Sequence, residues 1–355
     1  MQTPAENVMK VLTGKITDTV PFTVYERKIP QCKTERELRN RGMCIVNRQY
    51  NPYITCMPNV KQESRTYMEN GTSLVRTEYT TPYGTLHTID EPKEFTTWHH
   101  KRLFTCKEDY RALLFMAQDT IIKPEYERLL TQEAYGGGDI IYRGSLGSEP
   151  LQQLVSSWMG VEKFSYEWMD NRDEILKLYE AIREKKREIY RVVAESPVRH
   201  VNYGGNVIAS VIGLEDFRRY NVPNYEEACD VLHRCGKLVG VHFDDNCRLL
   251  KDAIAGTALD YIEAFTPAPD TDMTVAEART AWPEKTLWIN FPSSVHIAPL
   301  ETVYNTARDL LKEAGNTGRF IMGITEDVPA WRWQKNYLAI MDAIDDHGGT
   351  GRLKN

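Results

Sequence analysis

The chain has 355 residues, 41% of them hydrophobic and 26% charged, so a large core is available and wholesale disorder is excluded. Its 44 basic and 50 acidic residues leave a formal charge of −6, and no segment concentrates Lys and Arg, so the electrostatic footprint of a nucleic-acid binder is missing. No apolar run approaches the roughly 18 residues of a membrane span, and the opening MQTPAENVMKVLTGKITDTVP lacks the basic and apolar stretches of a secretory leader, so a cytoplasmic protein is expected.

In chain order, residues 6–14 carry helical periodicity. Residues 73–89, SLVRTEYTTPYGTLHTI, alternate on both sides of a Pro-Tyr-Gly turn and predict a β-hairpin. Helical spacing returns at 108–120, 149–160 and 171–195, where the run Lys185 to Glu188 reads as a solvated face. The run 139–145, DIIYRGS, reads as a strand, and the triple glycine before it reads as a loop.

From about residue 196 the alternation becomes regular. Strands are predicted at 199–205, 237–243, 259–265, 286–291 and 319–324. Helices are predicted between and after them at 224–236, 247–256, 274–282, 299–315 and 330–348, with Thr274 as an N-cap, Pro299 near one start and Gly236, Gly256 and Gly315 as stops. Five strands alternating with helices imply parallel βα units. No GxGxxG or GxxxxGK[ST] occurs, which disfavours an open doubly wound sheet, and no internal repeat is found. The expectation is an α/β fold: one (β/α)8 TIM barrel with an N-terminal β-hairpin elaboration, a single domain over residues 1–355.

In such a barrel the active site lies at the carboxyl ends of the strands. The strand 237–243 leads to His242 and Asp244, whose side chains alternation can point the same way. The next places Glu263 among apolar neighbours, where its charge needs a cation, a proton or several donors. The following strands lead to Asn290 and His296, and then to Thr325, Glu326 and Asp327. Mixed imidazole and carboxylate donors suit Zn²⁺ with a position left for substrate. The competing expectation is a polar barrel mouth without metal, with Glu263 in an ion pair to a neighbouring arginine. Tyr25, Tyr203, Phe243, Phe265 and Trp331 fall near the rim. His87, His99, His100, His200, His233 and His347 read as structural or surface residues. Seven cysteines without a CxxC read as reduced thiols, and no GxSxG elbow appears.

The strings VHFDDN, IEAFTPAP, LWINFPSSVHI and FIMGITEDVPAWRWQKNYLAIMDAI, with the opening ENVMKVLTGKITDTVPF and its Asp-x-Val-Pro step, together resemble the uroporphyrinogen decarboxylase superfamily over nearly the whole chain. That superfamily holds decarboxylases and zinc-dependent methyltransferases that serve corrinoid proteins. The resemblance is closer to the second branch, whose zinc ligands are a His-x-Cys on the fifth strand and a Cys after the eighth. His242, Asp244 and Glu326 stand at the corresponding positions, so the histidine is kept and carboxylates replace both thiolates. Carboxylate-rich sets resemble the methyltransferase I components of O-demethylase systems, with a Glu, Glu, His pattern that Glu263, Glu277 and His296 match loosely. The decarboxylase branch uses an Arg-rich segment after the first strand, where this chain has VYERKIP with only Arg27 and Lys28.

The resemblance therefore implies a methyltransferase that moves a methyl group from a small methylated donor, an aryl methyl ether, to the Co(I) of a corrinoid protein, which is the expected partner. His242, Glu263 and Glu326 would hold Zn²⁺ as a Lewis acid, Asp244 and His296 would act in catalysis, and Tyr203, Asn206 and Asn290 would line the pocket. The alternatives are a decarboxylase of a small aromatic or pyrrolic acid, with Asp244 or Glu326 protonating the carbanion, and a non-catalytic barrel that binds a methylated or corrinoid ligand.

Overall fold

The structure is a computed structural model that describes residues 2–48, 51–93, 96–315 and 317–348. The chain forms two compact units. One comprises residues 1–50, 126–145 and 197–355, the other 51–125 and 146–196.

The chain carries a parallel sheet of nine strands: β1 (Phe22–Tyr25), β2 (Cys44–Asn47), β3 (Ile140–Tyr142), β4 (Gly144–Ser148), β5 (His200–Gly204), β6 (Leu238–His242), β7 (Tyr261–Phe265), β8 (Thr286–Ile289) and β9 (Phe320–Ile324). Their order is β4-β5-β6-β7-β8-β9-β1-β2-β3. Because β3 and β4 are separated in sequence by Arg143 alone, the two ends of this order meet in one stretch of chain, and the sheet curls into a nearly closed barrel. This is the TIM-barrel α/β architecture expected from the alternation of strands and helices. The strands from β5 onward are runs of buried residues, as parallel strands covered on both faces must be.

Helix Pro4–Leu12 starts at Thr3, whose hydroxyl accepts from the Glu6 amide while the Glu6 carboxylate accepts from the Thr3 amide. Its apolar face, Val8, Val11 and Leu12, joins a cluster with Tyr25, Val46, Ile141, Tyr261 and Trp288. Polar groups inside this core are paired: the Trp288 indole N–H donates to Thr23 Oγ1 at 2.8 Å and the Tyr261 hydroxyl to the Val201 carbonyl at 2.6 Å.

Three local expectations change. The strand 139–145 is interrupted at Arg143, where the guanidinium enters the barrel to meet Glu263. The helix 247–256 shortens to Lys251–Ala255. The segment 149–160 is a helix only over Pro150–Gln153, then widens into a π-turn over Leu154–Met159 and stops at Gly160.

The second unit holds the predicted hairpin, enlarged. Strands Thr72–Thr81 and Gly84–Pro92 pair antiparallel around the Pro-Tyr-Gly turn, and Lys61–Glu69 and Thr97–Lys101 extend them to four strands. Lys61–Glu69 joins Thr72–Thr81 through Asn70 and Gly71, both at positive φ (50° and 79°), the two-residue turn that an Asn-Gly pair favours. A second ladder pairs Tyr53–Cys56 with Ile121–Pro124, and the 24-residue helix Arg172–Glu195 buries Leu178, Ile182, Ile189 and Val193 in the same unit.

Candidate functional site

The polar centre of the barrel is assembled where β1, β3, β5, β6 and β7 approach their carboxyl ends. Glu263 lies on β7 in register with His242 on β6 and is fully buried. Four donors meet its carboxylate. Oε1 takes the Arg143 guanidinium at 2.5 Å and the Tyr25 hydroxyl, while Oε2 takes His242 Nδ1 at 2.7 Å and Asn202 Nδ2 at 3.1 Å. A buried carboxylate is tolerated only with such compensation. Burial pushes the Glu263 carboxyl upward, but Arg143 and His242 outweigh it and hold the group well below the usual carboxylate range.

The backbone is bent to make this contact. Ala264, next to Glu263, sits in the left-handed region at φ 56°, and the register of β7 against β8 shifts between Glu263 and Phe265. A non-glycine residue in that region costs of order 1 kcal/mol, and a bulge of this kind re-aims a side chain next to a functional centre.

His242 is also buried, and its other ring nitrogen, Nε2, lies 3.3 Å from Asp244 Oδ2. Burial opposes its charge, yet the Glu263 and Asp244 carboxylates prevail and raise its pKa to about 9. The ring is an imidazolium at neutral pH. Glu326 stands beyond Asp244 at the end of β9; partial desolvation and the Asp244 carboxylate push its carboxyl upward, while His242 and Lys28 pull it down. Three buried polar atoms at this rim, Asp244 Oδ1, Asn202 Oδ1 and Thr325 Oγ1, have no partner among the described residues. They can take hydrogen bonds from a ligand.

Of the residues singled out in the sequence, the structure brings together His242, Asp244 and Glu263, with Glu326 facing the first two. His296 is elsewhere in its contacts. It lies against Phe291 and Tyr337, with Asn336 Nδ2 donating to its carbonyl at 2.8 Å, and burial lowers its pKa to about 4, so the ring is neutral. Asn290 spends its amide on the fold: Oδ1 accepts from the Thr325 amide at 2.9 Å and Nδ2 reaches Thr266 Oγ1 at 3.4 Å. Tyr203 is fully buried edge-on to Tyr225, and Asn206 is exposed at φ 42°. Glu277 caps its own helix through Thr274 and pairs with Arg248.

The zinc set does not fit this geometry. Both Glu263 oxygens are taken by protein donors, and no three His, Cys, Asp or Glu side chains converge as metal ligands among the described residues. Arg143 and Asn202 are the members of the centre that sequence reasoning passed over. The signal for Arg143 was a lone cation at the end of the strand-like run DIIYRGS.

The His242 charge fixes a pH dependence. Its folded pKa of about 9 lies above the ordinary 6.5, so the stabilisation is present in full below about 6.5 and is lost as pH rises through 9. Calorimetry from pH 6 to 9.5 is expected to show the melting-temperature gap between wild type and His242→Gln narrowing as pH rises. A constant gap would mean that the ring carries no extra proton in the folded state.

No family model and no curated protein matches the sequence. Among solved structures, a methyltransferase from Methanosarcina mazei is similar over 97% of this chain and 99% of its own, at 11% identity and a TM-score of 0.56. The tandem GH20 catalytic modules of the pneumococcal exo-β-D-N-acetylglucosaminidase StrH are similar over 96% of this chain and 86% of theirs, at 11% identity and a TM-score of 0.40. Dispersin B covers 92% of this chain and 98% of its own, at 14% identity and a TM-score of 0.37. At these identities the first likeness is one of fold, and the other two carry no argument.

Proposed function

We propose that this chain is a methyltransferase that moves a methyl group from an aryl methyl ether to the Co(I) of a corrinoid carried by a partner protein, with His242 as the acid that protonates the leaving oxygen. The observation that carries the reading is the imidazolium held between Glu263 and Asp244 at the carboxyl ends of the strands. The barrel likeness to a methyltransferase over nearly the full length of both chains supports it.

Glu263 fixes Nδ1, so Nε2 carries the proton that can be given away. The contact of Nε2 with Asp244 is long enough, at 3.3 Å, to yield to an ether oxygen. The methyl carbon–oxygen bond breaks with its electron pair going to oxygen, and that oxygen takes the His242 proton to leave as a phenol. The reduced corrinoid, as co-substrate, supplies the electron pair that forms the new bond to the methyl carbon. Asp244, whose Oδ1 has no partner among the described residues, can then relay a proton taken up from solvent back to the ring.

The test is methyl transfer from a methoxyarene to a reduced corrinoid protein, followed by cobalt absorbance and by release of the phenol. One phenol per methylated cobalt is expected. Carbon dioxide released from an aromatic or pyrrolic acid without any corrinoid would replace the reading with decarboxylation.

A further inference from the structure

The second unit holds a half-open cavity of about 300 Å³ that methyl transfer leaves unexplained. Its walls are mainly apolar and aromatic, with Tyr79, Leu103, Met116, Trp158, Ile182 and Ile189 among them. Two lysines of the helix Arg172–Glu195 also line it. Lys185 is half-buried and paired with Glu188 at 3.0 Å. Lys186 is different: it is 5% exposed, and its one hydrogen bond among the described residues is from Nζ to the Leu146 carbonyl at 2.9 Å.

The chain is shaped around this amine. Gly147 has φ 72°, and a Cβ there would stand 2.7 Å from Lys186 Nζ and 3.7 Å from the Tyr53 hydroxyl. A glycine is therefore required both by the backbone and by the space that the amine and the phenol share. An ammonium in such a place has lost most of its hydration and recovered one acceptor. Burial accordingly lowers the Lys186 pKa to about 8, against the opposing Glu149 carboxylate. Near neutral pH a useful fraction is free amine, whereas exposed lysines stay charged.

A desolvated lysine in an apolar cavity is the environment in which an amine attacks a carbonyl. We propose that this cavity is a second small-molecule site, where Lys186 captures an apolar aldehyde or ketone as an imine. The Nζ lone pair forms the bond to the carbonyl carbon and the π pair moves to oxygen, which takes a proton from the Tyr53 hydroxyl. Tyr53 regains a proton from the nitrogen and passes it to the carbinolamine oxygen, which leaves as water as the nitrogen lone pair forms the C=N bond. Tyr53 then recovers a second proton from nitrogen, so amine and carbonyl give imine and water with no other reactant. Burial pushes the Tyr53 hydroxyl up, which keeps the proton on the phenol between turnovers.

The experiment treats the full chain at pH 8 with benzaldehyde and sodium cyanoborohydride and maps benzylated lysines by peptide mass spectrometry. Lys186 is expected to label faster than the exposed Lys61 and Lys177 by roughly tenfold or more. Thr55 is exposed on the cavity wall, so Thr55→Trp should fold normally, fill the space and slow labelling of Lys186 alone. Labelling of Lys186 no faster than that of the exposed lysines, or unchanged in Thr55→Trp, would overturn the proposal and leave Lys186 as a structural clasp on Leu146.

Discussion

Glu263→Gln is expected to cost about 3–5 kcal/mol of folding stability, the loss seen when one partner of a buried ion pair is removed and the other is left uncompensated. The magnitude follows from what remains. Arg143 is buried and has Glu263 as its carboxylate partner, so the variant leaves a guanidinium in the barrel with a neutral amide in front of it. His242 loses its strongest carboxylate at the same time and should return toward neutrality. Out of the 5–15 kcal/mol typical of a domain this is a large share. Urea unfolding measures it, and adding Arg143→Met to Glu263→Gln should recover part of the loss, because the orphaned charge goes with it. A loss under about 1 kcal/mol in Glu263→Gln would show that the network is solvated and does not anchor the strands.

His242→Gln is expected to lower the rate of methyl transfer by about 10²–10⁴-fold, the range for removal of a general acid, with the barrel still folded. Glutamine can keep a hydrogen bond to Glu263 but holds no proton to give. The wild-type rate should fall as pH rises through about 9, where the imidazolium is lost, and the residual rate of the variant should not follow that fall. A variant that slows through a misplaced Asp244 alone would keep the wild-type pH profile, which separates positioning from proton donation.

The barrel and the residues at its rim differ in how far the sequence reveals them. Parallel strands in a barrel are short apolar runs separated by amphipathic helices with caps and glycine stops, and from β5 to β9 each such run is a strand of the sheet. The alternation that points side chains of one strand the same way also gave His242 and Asp244 a common direction, and Glu263 stood out as a carboxylate in an apolar run. What those groups do to one another was not legible, because it depends on Arg143 and Tyr25, 120 and 238 residues from Glu263 along the chain. A cation and a phenol brought to the same carboxylate draw Glu263, and with it His242, into an ion-pair network. Sequence left an ion pair and a metal as competing expectations for Glu263, and only the packing of β3 against β2 decides where the guanidinium goes. His296 and Asn290 look like rim residues because they follow a strand, but the turn after β8 folds their polar atoms onto Asn336 and Thr325. The four-stranded sheet of the second unit was half visible: the Pro-Tyr-Gly hairpin was read, while the Asn-Gly turn beside it joins strands too polar for an apolar alternation to mark.

The most direct measurement compares wild type and His242→Gln on two methyl donors with the same shape. One should leave as a strongly basic phenolate that needs a proton, the other as a phenolate stabilised by electron-withdrawing groups that departs unaided. If His242 protonates the leaving oxygen, the deficit of the variant should be about 10³-fold on the first donor and under about tenfold on the second. An equal deficit on both would contradict proton donation by His242 and leave its charge a structural matter between Glu263 and Asp244.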